Sequence, residues 1–208
     1  MIRDQLVARG VCDERVLAAF HSVPRDLFVP PMHRAYAFID SPLPLSHGQT
    51  ISQPFIVARM TELLELSGRE RVLELGTGSG YQTAVLAQLT CLVFSAELEP
   101  ELSTAAAVRL ATLGLRNVQL GVGDGVELFR EQAPFDAILS AAAPRNMPER
   151  LLEQLAEGGR CVIPVGDEDA QYLWRVRRRH GELQRERLDA VRFVPLRAAS
   201  DGRPHSAE

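Results

Sequence analysis

The run Val72-Leu73-Glu74-Leu75-Gly76-Thr77-Gly78-Ser79-Gly80-Tyr81 limits what this chain can fold into more than any other stretch. Val72, Leu73 and Leu75 suit a strand covered on both faces, and glycines at alternate positions let the backbone turn tightly and approach a ligand. The residues that follow, Gln82-Thr83-Ala84-Val85-Leu86-Ala87-Gln88-Leu89, place apolar side chains at helical spacing. A helix that begins directly after the turn leaves its first N–H groups without partners, aimed at whatever lies above the strand end. The stretch therefore outlines a pocket at the carboxyl end of a buried strand.

The rest of the chain is compatible with one domain built around that strand. At 208 residues it exceeds a minimal domain and falls short of two, so one α/β domain with an elaborated end is expected. A hydrophobic fraction of 46% and a charged fraction of 24% exclude disordered and fibrous classes. No segment approaches the ~20 apolar residues of a membrane span, and the first residues carry no secretory apolar core. A cytoplasmic protein with no membrane partner is the expectation. The formal net charge of −4 argues against a general nucleic-acid binder. Cys12, Cys91 and Cys161 form no C-x-x-C pair and are expected as buried, reduced thiols. The five histidines show no metal-ligand spacing, so no metal site is expected.

Along the chain, residues 2–9 and 13–21 read as short helices, the second capped by Asp13. The prolines at 24, 30 and 31 break regular structure, a further helical turn is expected near 34–38, and 41–53 reads as loop. A helix is expected over 54–66, with Pro54 in its first turn. After the opening strand and its helix come strand two at 91–96, helix 100–113, strand three at 118–122, a turn or short helix at 126–131 and strand four at 135–140. Helix 147–156 and strand five at 161–165 follow. The alternation predicts a doubly wound, mostly parallel sheet with right-handed crossovers. Polar–apolar alternation from Gln171, a turn at His180-Gly181, and one or two strands over 183–195 predict antiparallel edge strands. Residues 1–53 form an N-terminal helical and loop extension, 54–196 the α/β unit, and 197–208 a tail expected to be mobile. A monomer is expected, because an antiparallel edge and no long apolar surface leave little to pair.

Glu97, at the end of strand two and 21 positions after Gly76, is placed to accept hydrogen bonds from ribose hydroxyls, which makes the pocket adenosine-type. A dinucleotide fingerprint G-x-G-x-x-G would want glycine where Tyr81 stands, which disfavours NAD. The pattern Gly76-x-Gly78-x-Gly80 after Leu73-Glu74-Leu75, with Glu97 and a later Gly123-Asp124-Gly125, resembles the S-adenosylmethionine site of class I, Rossmann-like methyltransferases. For Glu74 the alternatives are a solvent-tipped strand residue or a role beneath the cofactor's methionine portion. For Asp124 they are a local turn cap or a contact with the adenine edge.

A narrower resemblance runs through the rest of the chain. Val23-Pro24-Arg25-x-x-Phe28-Val29-Pro30, then Leu43-Pro44-x-x-x-Gly48-Gln49-Thr50-Ile51-Ser52-Gln53-Pro54, then 72–81, then Val191-Arg192-Phe193-Val194-Pro195-Leu196 are similar to the bacterial protein-L-isoaspartate O-methyltransferases. These motifs span roughly residues 2–196 in the family's order, and Gln-Thr-Ile-Ser-Gln-Pro is the most specific of them. The resemblance implies methyl transfer from S-adenosyl-L-methionine to the α-carboxylate of L-isoaspartyl and D-aspartyl residues in damaged proteins and peptides. It implies that Ser52 is the active-site serine and that Gln49, Thr50, Ile51 and Ser52 cover the cofactor. It further implies that Glu74, Gly76, Thr77, Gly78, Ser79, Gly80, Glu97, Leu98, Asp124 and Gly125 are cofactor positions. Leu98 stands where the family often has arginine, and Ala96 where it has a larger aliphatic residue.

From the residues alone, Ser52 is either a hydroxyl donor that holds the acceptor carboxylate or a cap for the helix at Pro54. His47 reads as an exposed loop histidine, and Arg177 to Arg179 as a solvated edge. Other acceptors, a dinucleotide-dependent oxidoreductase and a non-catalytic cofactor-binding module remain the alternatives at this level.

Overall fold

The structure is a computed structural model and describes residues 1–197. The tail expected to be mobile therefore lies outside the described residues, apart from Arg197. The chain enters through helical turns at Ile2–Leu6 and Val7–Arg9, followed by α1 (Glu14–Ser22). Asp13 caps α1 as its position predicts, its carboxylate accepting from the N–H groups of Arg15 and Val16. The proline-rich stretch winds into two 3-10 turns, Arg25–Phe28 and Pro31–Tyr36. The second begins earlier than the expected 34–38 because the fixed φ of Pro31 suits a first helical position. Inside the predicted loop, β1 (Leu43–Pro44) pairs antiparallel with β2 (Thr50–Ile51), and α2 (Pro54–Leu63) follows directly.

The sheet then builds from β3 (Arg71–Leu75), α3 (Tyr81–Ala87), β4 (Leu92–Glu97), α4 (Pro100–Thr112) and β5 (Val118–Val122). It continues with β6 (Phe135–Ser140), α5 (Glu149–Leu152), β7 (Leu155–Gly166), β8 (Gln171–Arg179) and β9 (Glu182–Val191). Seven strands lie in the order β5-β4-β3-β6-β7-β8-β9. The first five are parallel, and β8 and β9 add antiparallel at one edge, as the alternation at 171–195 predicts. The chain leaves β3 toward β4 on one side and returns to place β6 on the other. The crevice outside the carboxyl end of β3 is therefore the switch point where an open α/β sheet takes its ligand.

Alternation along β3 sorts its side chains between two cores. Val72 joins the cluster formed with α1, α2 and α3, while Leu73 and Leu75 join the cluster with Phe94, Phe135, Leu151 and Leu152. Both faces are covered, and full burial of a residue such as Leu73 stabilises the fold by roughly 1.5–3 kcal/mol. The N-terminal segment belongs to the first of these cores. Leu6, Val16, Phe20 and Phe28 are buried there, and Phe20 and Phe28 pack edge-on against Tyr81 with ring centroids 5.8 and 5.5 Å away.

Two expectations are corrected here. Helix 147–156 is reduced to the single turn α5, and strand five starts at Leu155 rather than 161. Leu155 pairs with Phe135, and the Phe135 N–H donates to the Gln154 carbonyl at 2.8 Å, so a partner twenty residues away in sequence claims the expected end of the helix. Of the three thiols only Cys161 is buried; Cys12 and Cys91 are exposed, because Cys12 lies before α1 and Cys91 falls one residue ahead of β4.

Candidate active site

The glycine turn is held at the carboxyl end of β3 by its neighbour strand. The N–H groups of Gly76 and Thr77 both donate to the Ala96 carbonyl, at 2.9 and 3.2 Å. Gly76 and Gly78 have φ of 88° and 52°, left-handed conformations that a side chain would oppose. With the turn in this shape, the Gly78 N–H donates to Glu97 Oε2 at 2.7 Å. Glu97 Oε1 accepts from the N–H groups of Leu98 and Glu99 at 2.9 and 3.1 Å. The carboxylate, only 7% exposed, is thus anchored at the end of β4. A carboxylate offers about four lone-pair positions, so these bonds leave Oε2 acceptor capacity for a ligand hydroxyl.

Glu74 is not solvent-tipped. It is 0% exposed beneath α3, where Oε2 accepts from the hydroxyls of Thr83 at 2.6 Å and Ser95 at 2.7 Å. Ser95 in turn shares a 2.6 Å hydrogen bond with Thr77 of the glycine turn. Glu74 therefore supports the turn from behind and does not line the cleft in front of it. Burial pushes its carboxyl up to about 7; the two hydroxyl bonds oppose this and the charge of Glu97 adds to it. Gly80, also in the left-handed region at φ 87°, marks where α3 packs on α4, since a Cβ there would stand 3.1 Å from the Ala106 Cβ.

In front of the turn lies a cleft. Gly76, Gly78, Glu97 and Leu98 form its floor, Gln49, Thr50 and Ser52 one wall, and Gly125 part of another. A Cβ at Gly125 would come within 2.6 Å of Leu75 Cγ, so only a glycine lets this loop sit against the strand end. Asp124 follows its local alternative at one oxygen: Oδ1 accepts from the Val126 N–H at 2.8 Å and caps the turn. Asp124 does not line the cleft, although its neighbours Gly123 and Gly125 do. Thr77, Ser79 and Ile51 line a smaller adjoining cleft, which also reaches Ser52.

The far wall is a feature absent from the sequence reading. Beyond β9 the chain crosses back over the end of β6, where the Ala143 N–H donates to the Val194 carbonyl and the Leu196 N–H to the Ala143 carbonyl, each at 2.8 Å. This brings residues 194–197 onto the cleft, and Arg197 reaches Glu99 at 2.6 Å. The Val191-Arg192-Phe193-Val194-Pro195-Leu196 motif is the signal in the sequence for this wall. On the opposite side, the exposed His47 lies 2.8 Å from Glu101. Both sides of the cleft are thus tied to the carboxylates that open α4.

Ser52 occupies the boundary between this cleft and a larger open groove, lined in part by Arg9, Phe55, Arg59 and Arg192. Thr50, Ala141 and Val194 share that boundary. Ser52 does not cap α2. The N-cap position is Gln53, which makes no side-chain capping bond, and the α2 amide of Phe55 donates instead to Asp40 Oδ1 at 3.1 Å. Among the described residues no hydrogen bond engages the Ser52 hydroxyl, while its backbone carbonyl accepts from Arg25 Nη2 at 2.7 Å.

The cleft fits an adenosine-type sulfonium ligand on its own chemistry. It has a glycine floor that admits close approach, and an anchored carboxylate with acceptor capacity left over.

Comparison with known proteins gives the chain's family. A family model described as protein-L-isoaspartate(D-aspartate) O-methyltransferase matches residues 1–201. A protein-L-isoaspartate O-methyltransferase of Koribacter versatilis is 50% identical over 196 residues, 94% of this chain and 88% of that one. One from Vibrio cholerae serotype O1 is 53% identical over 193 residues, 92% of this chain and 91% of that one. Among solved structures, a Plasmodium falciparum protein described as a protein-L-isoaspartate O-methyltransferase, in complex with S-adenosyl-L-homocysteine, superposes with a TM-score of 0.82 at 26% identity. That match covers 93% of this chain and 95% of the other. The oxidoreductase alternative falls with these matches, and with motif order, fold and sequence similarity in agreement from end to end, the chain belongs to the protein-L-isoaspartate(D-aspartate) O-methyltransferase family.

Proposed function

We propose that this chain repairs damaged proteins by methylating the α-carboxylate of L-isoaspartyl and D-aspartyl residues, with Ser52 holding the acceptor. The carrying observation is that the cleft over the glycine turn and a second, open groove meet at Ser52. S-adenosyl-L-methionine, when bound, supplies a methyl group already activated by its sulfonium charge. Gly76, Gly78, Glu97, Leu98 and Gly125 are placed to hold it, with Gln49 and Thr50 as the cover. Thr77, Ser79, Gly80 and Glu74 act from the next layer, keeping the turn in shape.

The acceptor carboxylate, with an ordinary pKa of roughly 4, is ionised at neutral pH, so no side chain has to remove a proton. What the protein contributes is alignment, worth up to roughly 7–11 kcal/mol in well-oriented systems. The Ser52 hydroxyl, free of intramolecular bonds, donates to one carboxylate oxygen and leaves the other directed at the cleft. Ala141 and Val194 form the apolar part of the boundary. The net charge of −4 counts against a nucleic acid acceptor. We place the protein in the cytoplasm, acting as a monomer on intracellular substrates.

The test is incubation with labelled S-adenosyl-L-methionine and two peptides that differ only in carrying isoaspartate or aspartate at one position. Base-labile label on the isoaspartyl peptide alone is expected. Equal labelling of the two, or none, overturns the assignment.

A further inference from the structure

Arg25 has a burial that its charge does not explain. It is 0% exposed, and no carboxylate lies within ion-pair distance among the described residues. Burial lowers its pKa to about 10. The charge of Asp40, beyond ion-pair distance, offsets that burial only in part, and Nη1 has no partner, so the bonds made by the other N–H groups must hold the side chain there. Nε donates to the Ala37 carbonyl at 2.8 Å and Nη2 to the Ser52 carbonyl at 2.7 Å. The guanidinium also lies over the Tyr81 ring, 4.8 Å from its centroid, and Tyr81 is the first residue of α3 after the glycine turn.

These contacts are placed where Ser52 has no other support. The β1–β2 ladder stops at Ile51, and α2 begins at Pro54 with Gln53 as its cap. The bond from Arg25 is the one hydrogen bond that reaches Ser52 among the described residues. One planar side chain thus spans the segment before Asp40, the Ser52 peptide and the helix behind the glycine turn. A lysine has neither the reach nor the fork to do this.

We propose that Arg25 is a positioning residue for methyl transfer, fixing the Ser52 backbone against the glycine turn so that acceptor and methyl-donor sites stay in register. It touches neither ligand. The proposal rests on the reading of Ser52 given above, and one arm of its test does not depend on activity.

The experiment uses Arg25→Lys and Arg25→Met in the full chain. Amide hydrogen exchange without ligand should speed up at 50–53 by about tenfold or more, while β3 at 71–75 stays protected. With the isoaspartyl peptide, kcat should fall by about tenfold to a hundredfold, the scale of a small misplacement. S-adenosyl-L-homocysteine affinity, read by calorimetry, should stay within about threefold, which separates lost alignment from lost binding. Unchanged exchange at 50–53, an unchanged kcat, or affinity falling in parallel with kcat overturns the proposal. If Arg25→Met does not fold, Arg25→Lys, which keeps the charge, decides alone. A wild-type protein that fails to methylate the peptide sinks the reading of function, and the exchange arm still decides whether Arg25 holds the segment.

Discussion

The Glu74 carboxyl, buried between β3 and α3, titrates in a range that denaturation can measure. Its position in Leu73-Glu74-Leu75 is equally compatible with a strand tip in solvent, and only the packing of α3 over β3 removes it from water. There it receives two hydroxyl hydrogen bonds while its other oxygen has no partner. Burial outweighs those bonds and raises the carboxyl from its ordinary 4.5 to about 7. The raised value reverses the usual carboxylate sign. The folded state holds this proton more tightly than the unfolded chain, so the stabilisation is complete below pH 4.5 and is lost as pH rises toward about 7. Glu74→Gln mimics the protonated form and should flatten the decline in stability across that window, leaving the variant more stable than wild type at pH 8. Urea denaturation of both proteins at several pH values checks this. Parallel curves would show that Glu74 titrates normally in the fold.

At the scale of elements, the strands and helices that carry their own periodicity were legible, and those defined by a distant partner were not. β3, α3, β4, α4, β5 and β6 fall close to where alternation and glycine punctuation place them. The helix over 147–156 failed because Leu155 finds Phe135, a pairing no local pattern announces. The wall at 194–197 was missed for the same reason, since a polar–apolar run does not reveal that it will cross back to Ala143. The start of α2 is the most consequential case for the site. Ser52 before Gln53-Pro54 looks like a cap, yet the capping carboxylate comes from Asp40, which also receives Gln53 Nε2 at 2.7 Å and Arg9 Nη1 at 2.6 Å. Removing it should therefore cost what a lost cap costs, and removing Ser52 should not. Asp40→Ala is expected to lower stability by about 1–2 kcal/mol. Ser52→Ala should unfold like the wild type but turn over the isoaspartyl peptide at least about tenfold more slowly, the loss of one oriented hydrogen bond. Equal destabilisation by both substitutions would return Ser52 to the helix and remove it from the site.

For the whole molecule, the site exists because three separate stretches close on one switch point. The sheet supplies the glycine turn and Glu97, the segment before α2 supplies Ser52, and the return from β9 supplies the far wall. The second of these depends on residues 1–53 being part of the core and not an appendage. Leu6, Val16, Phe20 and Phe28 lie in the same cluster as Val85, Leu86 and Val93. Without them the α3 side of the sheet would be open to water, and the loss would be felt across the sheet. The sequence offers a reporter on the opposite side, because its single tryptophan, Trp174 on β8, packs against the other core. If the molecule is one cooperative unit, the fluorescence of Trp174 and the far-ultraviolet circular dichroism of the full chain should follow one denaturation curve. A chain starting at residue 54 should then shift the Trp174 transition to much lower denaturant or abolish it, although Trp174 does not belong to the cluster that the truncation opens. A Trp174 midpoint unmoved by the truncation would mean that the first 53 residues sit on a core that folds without them. Ser52 would then be held against the glycine turn by an ornament and not by the fold.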